Sequence, residues 1–179
     1  MNLLMITQRV DEHDANLANH VRWLQFFSEQ TQALTVITQS VGTYHLPANT
    51  HVCSLGKESG APKWKQFLTF FQQAAQSISR VDAVFVLMSP LYVILIAPLA
   101  FFYRKKIYLW YTHKYVSWTL RIAEWFVTNI FSASPESFRL SSHKVIFTGH
   151  AIDTDFFSPD ARVGRDSKKS DHRGTHHSI

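Results

Sequence analysis

The stretch from Val81 to Lys114 constrains this chain more than any other. It runs Val-Asp-Ala-Val-Phe-Val-Leu-Met-Ser-Pro, stays almost wholly apolar from Leu91 to Tyr103, then reads Arg-Lys-Lys-Ile-Tyr-Leu-Trp-Tyr-Thr-His-Lys. Two runs rich in Val, Ile, Phe and Tyr flank an apolar segment of helical length. That pattern predicts two neighbouring parallel strands joined by a buried crossover helix. Both runs end on polar residues, Ser89 after the first and Thr112-His113 after the second. In open α/β sheets, ligands settle just past the carboxyl ends of strands. Ser89 and His113 are therefore expected to share one functional rim.

Ala83 to Tyr103 is also 21 residues without a charge, long enough to span a bilayer. Ser89-Pro90 and Pro98 cut it into a strand-length piece and a short helix, and the first piece is β-branched and aromatic. The buried reading follows. Arg104-Lys105-Lys106 beside this segment is either a solvated helix end, favoured by the helix dipole, or a contact for the anionic inner face of a membrane.

The rest of the chain repeats the alternation. Leu3 to Thr7 reads as a first strand, Gln8 to Asp14 as a polar loop, and Ala15 to Gln30 as a helix capped by Asp14. Strands follow over 34–38 and 51–55. Gly60-Ala-Pro62 opens a helix on which Trp64, Phe67, Leu68, Phe71, Ala75 and Ile78 are expected inward. Later elements are strands over 83–88, 107–111 and 129–133, a helix capped by Ser117 with Trp118, Ile122, Trp125 and Phe126 inward, a helix start at Ser134-Pro135-Glu136, and a short strand over 145–148. The expected fold is α/β, a doubly wound, mainly parallel, Rossmann-like sheet.

Composition sets further bounds. An apolar fraction of 46% with 14% aromatics marks a globular chain. Of the net charge of +5, residues 160 to 179 supply +2. The remainder is weak and forms no Lys/Arg stripe, so no nucleic-acid partner is expected. The single cysteine, Cys53, fits a reducing, cytoplasmic compartment. The opening Met-Asn-Leu-Leu-Met-Ile has no basic segment and reads as a strand, not a signal peptide. Asp160 to Ile179 is polar and charged, and is expected to be a disordered tail after a domain over 1–159.

Missing motifs narrow the chemistry. No glycine occurs before Gly42, so neither a dinucleotide fingerprint nor a P-loop follows the first strand. No Gly-x-Ser-x-Gly elbow exists. Asp153-Thr-Asp155 and the histidines 172, 176 and 177 are too sparse in ligands to predict a metal, and no cofactor is expected. His113 stands out by position: it either bonds a substrate hydroxyl and moves a proton, or caps structure.

Four segments, taken in order and spacing, resemble a known family. They are Leu-Leu-Met-Ile-Thr-Gln-Arg-Val-Asp with the helix from Asp14 to Phe27, Val-Phe-Val-Leu-Met-Ser-Pro-Leu-Tyr, Leu109-Trp-Tyr-Thr-His113, and Phe131-Ser-Ala-Ser-Pro-Glu-Ser-Phe-Arg-Leu. Gly149-His-Ala-Ile-Asp-Thr-Asp-Phe-Phe-Ser-Pro159 follows the last. Together they resemble the amino-terminal, acceptor-binding half of a family 4 glycosyltransferase of the two-domain GT-B fold. The resemblance implies transfer of a sugar from a nucleotide donor to an acceptor hydroxyl with retention. It gives His113 the catalytic position near the transferred sugar, and assigns acceptor binding to Asp14, Asn16, Ser89, Tyr92, Ser134 and Glu136.

Two departures bear on this expectation. Ala15-Asn16-Leu17-Ala18 replaces the glycine pair that such enzymes often carry near the donor diphosphate. The second domain, with its paired glutamates eight positions apart, has no counterpart among Glu12, Glu29, Glu58, Glu124 and Glu136. Donor binding and turnover are therefore expected only together with that missing half. The alternative is a Rossmann-like module that binds a ligand, a partner or a membrane surface without catalysis.

Overall fold

The computed structural model describes residues 1–149. In chain order its strands are β1 (Asn2–Val10), β2 (Ala33–Val41), β3 (Thr50–Ser54), β4 (Ala83–Leu87), β5 (Lys106–Trp110), β6 (Asn129–Ser132) and β7 (Val145–Phe147). The helices are α1 (Ala18–Gln30), α2 (Lys63–Ile78), α3 (Pro90–Phe102) and α4 (Trp118–Phe126), and Pro135–Ser137 forms one 3-10 turn. The strands make one sheet in the order β3-β2-β1-β4-β5-β6-β7, parallel at every pairing. The doubly wound parallel sheet expected from the sequence is present.

Strand β4 shows why. All five of its residues are buried, so Val, Phe and Leu on both faces find apolar cover, as a central parallel strand requires. One face of the sheet is covered by α2, α3 and α4. Leu4, Ile6, Val84, Val86 and Leu109 pack there against Phe70, Ile96 and Leu120. The other face meets α1, where Leu3, Met5 and Phe85 pack against Val21 and Leu24. Trp23 and Phe27 extend that layer, with ring centroids 4.8 Å from Trp110 and 5.2 Å from Phe85.

Several local expectations are corrected. Strand β1 does not stop at Thr7. It pairs on through Arg9↔Ser40 and Val10↔Val41, because β2 is equally long and Val10 is fully buried. Helix α1 begins at Ala18, not Ala15. Asp14 caps the turn before it, its Oδ1 accepting from the amides of Asn16 at 2.9 Å and Leu17 at 2.8 Å. The Ser134 side chain makes no capping bond, and only a 3-10 turn follows it. Ser117 does cap α4, accepting from the Leu120 amide at 3.1 Å.

The largest correction concerns which helix faces point inward. Helix α2 buries Phe70, Ala74 and Ile78, and leaves Trp64, Phe67, Leu68 and Ala75 exposed. Helix α4 buries Leu120 and Ala123, while Trp118, Trp125 and Phe126 face solvent and Ile122 is half-buried. Both helices carry two apolar stripes. The sheet takes the stripe with Phe70, Ala74 and Ile78 on α2 and with Leu120 and Ala123 on α4, and the stripe richer in aromatics is left outside. No described helix is long and apolar enough to cross a membrane. The boundary expected at 159 and the polar tail lie outside the described residues.

Candidate functional site

Parallel pairing brings all the strand ends that matter to one edge. Leu87 of β4 lies opposite Trp110 of β5, so Ser89 and His113 leave adjacent strands on the same carboxyl rim. β1 borders β4 on the other side, and β6 borders β5. The loops carrying Asp14 and Asn16, Ser89, His113, and Ser134 with Glu136 therefore rise from four successive strands in the order β1-β4-β5-β6.

The loop after β1 is organised by a guanidinium and two carboxylates. Arg9 donates to Asp11 Oδ2 from Nε at 3.2 Å and from a terminal nitrogen at 2.8 Å, and its Nε lies 3.2 Å from Asp14 Oδ2. Asp11 Oδ1 accepts the His13 amide at 3.1 Å. Gly42, at the end of β2, lies so close that any side chain there would overlap the Asp11 carboxylate. The Arg9 side chain, then the His13 amide, hold the Asp11 carboxyl below its usual range. For Asp14 the leading causes are the Asn16 and Leu17 amides. Both Asp14 oxygens are thus engaged within the loop, whereas the neighbouring Asn16 is exposed.

Beneath this loop Thr7 Oγ1 lies 2.8 Å from His20 Nδ1, a buried polar pair. Burial lowers the His20 pKa, which favours the neutral ring. Neither this pair nor the Arg9–Asp11 contact was legible beforehand, since Arg9 and Asp11 read as loop and His20 as one position on a helix.

At the end of β4, Met88 adopts a left-handed backbone, φ 57°, uncommon for a residue with a side chain. Its carbonyl accepts from Gln8 Nε2 at 3.5 Å, and Thr112 Oγ1 lies 3.4 Å from its sulfur. Ser89 then starts α3 with a side chain that makes no capping bond. Tyr92 turns from the rim into the helix layer. It is 8% exposed and packs 5.0 Å from Phe70 between ring centroids. Burial raises its phenol pKa, and the Gln39 side chain opposes the shift.

His113 is exposed, its ring edge-on to Tyr111 at 5.5 Å. Tyr111 Oη donates to the Tyr115 carbonyl at 3.1 Å, which folds the 111–115 loop back on its strand. Glu136 faces this loop. Its own amide, then the Ser134 hydroxyl, lower its carboxyl pKa, and the Lys114 ammonium adds to the effect. Ser134 Oγ also lies 3.1 Å from Ser137 Oγ. Short hydroxyls, an amide, an imidazole and a carboxylate thus belong to loops of a single edge, a set suited to a hydroxyl-rich ligand. Among the described residues no three His, Cys, Asp or Glu side chains gather as a metal site; Asp153, Asp155 and the tail histidines lie outside them.

No family model and no curated protein sequence matches the chain. Solved structures do. Anabaena Alr3699/HepE in complex with UDP is similar at a TM-score of 0.63 and 13% identity, over 94% of this chain and 50% of that one. UDP-GlcNAc 2-epimerase from Neisseria meningitidis bound to UDP-GlcNAc gives 0.62 and 11%, over 94% and 51%. MurG from Acinetobacter baumannii gives 0.54 and 12%, over 82% and 45%. The chain therefore spans about half the length of these proteins. At such identities the likeness establishes the fold: a Rossmann-like α/β sheet of the kind that forms one half of a GT-B protein.

Proposed function

We propose that this chain is the acceptor-binding half of a retaining, family 4-like glycosyltransferase that moves a sugar from a nucleotide-sugar donor to an acceptor hydroxyl. The observation that carries the reading is the convergence of Asn16, Ser89, His113, Ser134 and Glu136 on one carboxyl edge of a GT-B-type sheet. The UDP and UDP-GlcNAc in the complexes of two similar proteins support it.

In this reading His113 holds a hydroxyl of the transferred sugar, and Asn16, Ser89 and Ser134 orient the acceptor. Asp14 shapes the loop that presents Asn16, and Tyr92 fixes the start of α3 from below. In this reading the domain runs over 1–159, and the donor nucleotide is held by a second domain. Cys53 is free and buried, which supports a reducing, cytoplasmic compartment.

The test supplies a donor-binding GT-B domain in trans, with a UDP-sugar and an alkyl glycoside acceptor, and measures transfer. His113→Ala should reduce turnover about 100-fold or more, the usual cost of removing a preorganised polar group from a transition state. Its melting temperature should not change, because the side chain is exposed. Undiminished turnover would remove His113 from the mechanism. A second reading, a glycan-binding module without transfer, is favoured by the β1–α1 loop. There Ala15-Asn16-Leu17-Ala18 stands where such transferases often carry a glycine pair for the donor diphosphate, and Arg9 is tied to Asp11 and Asp14. Acceptor binding with no turnover in trans would select it.

A further inference from the structure

The layer formed by α2, α3 and α4 turns a second apolar face outward. One stripe of α3 enters the core, and on the opposite side Leu91, Pro98 and Phe102, at i, i+7 and i+11, are exposed with no polar side chain among them, while Leu95 between them is half-buried against the core. A helix at the surface of a water-soluble protein ordinarily has a polar outer face. Exposure is greatest at the end of α3, where Phe101 is 88% and Phe102 78% exposed. On the flanking helices, Trp64 of α2 and Trp125 of α4 are exposed as well.

The charges on and beside these helices are mostly positive. Helices α2 and α3 contain no carboxylate. The single acid of α4, Glu124, accepts a 2.7 Å hydrogen bond from the Ser142 hydroxyl. Lys63 and Lys65 stand at the start of α2, and Arg104, Lys105 and Lys106 follow α3. None of these five has an ion-pair partner among the described residues. The trio is also held in place. Arg104 takes a left-handed backbone, φ 55°, and the Lys105 amide donates to the Ala100 carbonyl at 2.8 Å. That closure ends the helix firmly and sets the cations beside the exposed rings.

We propose that the outer face of α2, α3 and α4 docks on a lipid bilayer bearing anionic headgroups. The aromatic and aliphatic side chains would enter the headgroup–acyl boundary while Arg104, Lys105 and Lys106 meet headgroup phosphates. Shallow apolar insertion combined with a cationic flank is the two-signal arrangement that makes peripheral binding stable. A protein partner is ordinarily met by a rim of mixed polar character, whereas a predominantly cationic frame, in which Glu124 is the single acid of the three helices, complements a negative leaflet. With 13 residues α3 lies on the membrane and does not cross it. The inference does not depend on sugar transfer.

Flotation of the full chain with vesicles provides the test, comparing phosphatidylcholine alone with phosphatidylcholine mixed with phosphatidylglycerol. The chain should float with the anionic vesicles, remain behind with the neutral ones, and be released by high salt. Arg104→Gly/Lys105→Gln/Lys106→Gln removes three cations while relieving the left-handed strain, and should weaken anionic binding on the order of 100-fold. Phe101→Ser/Phe102→Ser should abolish flotation with circular dichroism unchanged. Failure to float, or equal flotation on both vesicle types, would overturn the proposal. So would a concentration-dependent dimer in solution that the Phe101→Ser/Phe102→Ser change dissociates, since the face would then belong to a second copy.

Discussion

The carboxyl edge of the sheet and the outer face of the helix layer are built from opposite materials. At the edge, polar groups are tied to one another: Arg9 to Asp11 and Asp14, Thr7 to His20, Ser134 to Glu136. Across the outer face large apolar side chains stand in solvent, bordered by cations that have no ion-pair partner among the described residues. Self-satisfied polar networks fix geometry, which a site for small hydroxylated ligands needs. Unsatisfied apolar area has meaning only toward something outside the molecule. One region is finished within the chain, and the other is not.

The contrast is sharpened most by removing what lies beneath the outer face. Phe70→Ala, at a site 1% exposed, should cost about 3–5 kcal/mol of folding stability, and Leu120→Ala about 2–5 kcal/mol. Both are read from denaturant midpoints. Trp125→Ser, on the same helix as Leu120 but turned outward, should stay within about 0.5 kcal/mol. A large loss for Trp125→Ser would mean that the outer aromatics belong to the core after all.

A smaller effect tests the edge. Because burial lowers the His20 pKa, the unfolded chain binds the extra proton once pH falls below its ordinary value, about 6.5. Stability is then complete above that pH and declines as pH drops through it toward the folded value. Melting temperatures should therefore fall between about pH 7.5 and 5.5. His20→Gln, which retains a hydrogen-bonding group for Thr7 but does not titrate, should flatten the slope. An unchanged slope would show that His20 does not govern it.

What could be read in advance follows from the same contrast. β4 was legible because a strand buried on both faces must be continuous and apolar, and β5 because its Ile, Tyr, Leu and Trp suit a largely covered strand; the alternation with helices then dictates a parallel sheet with one ligand-bearing edge. The continuation of β1 through Arg9 and Val10 was not. Polar residues at a carboxyl edge look like loop until their backbone partners on β2 are known. Helix orientation was misread on α2 and α4 because periodicity reveals a stripe but cannot say which of two stripes faces the sheet. At the site, Ser89 and His113 follow directly from strand ends. The engagement of both Asp14 oxygens depends on how its own loop folds, onto Arg9 and the Asn16 and Leu17 amides, and the inward turn of Tyr92 on a contact with Phe70 of another helix.

The most direct test of the edge as a carbohydrate site is a backbone amide NMR titration of the 179-residue chain with UDP-GlcNAc and an alkyl glycoside. The expected result is a set of saturable glycoside shifts confined to Asn16, Ser89, His113 and Ser134 to Glu136, with the outer faces of α2, α3 and α4 unmoved. Shifts that gather on those helices, or glycoside binding that leaves the carboxyl edge silent, would contradict it.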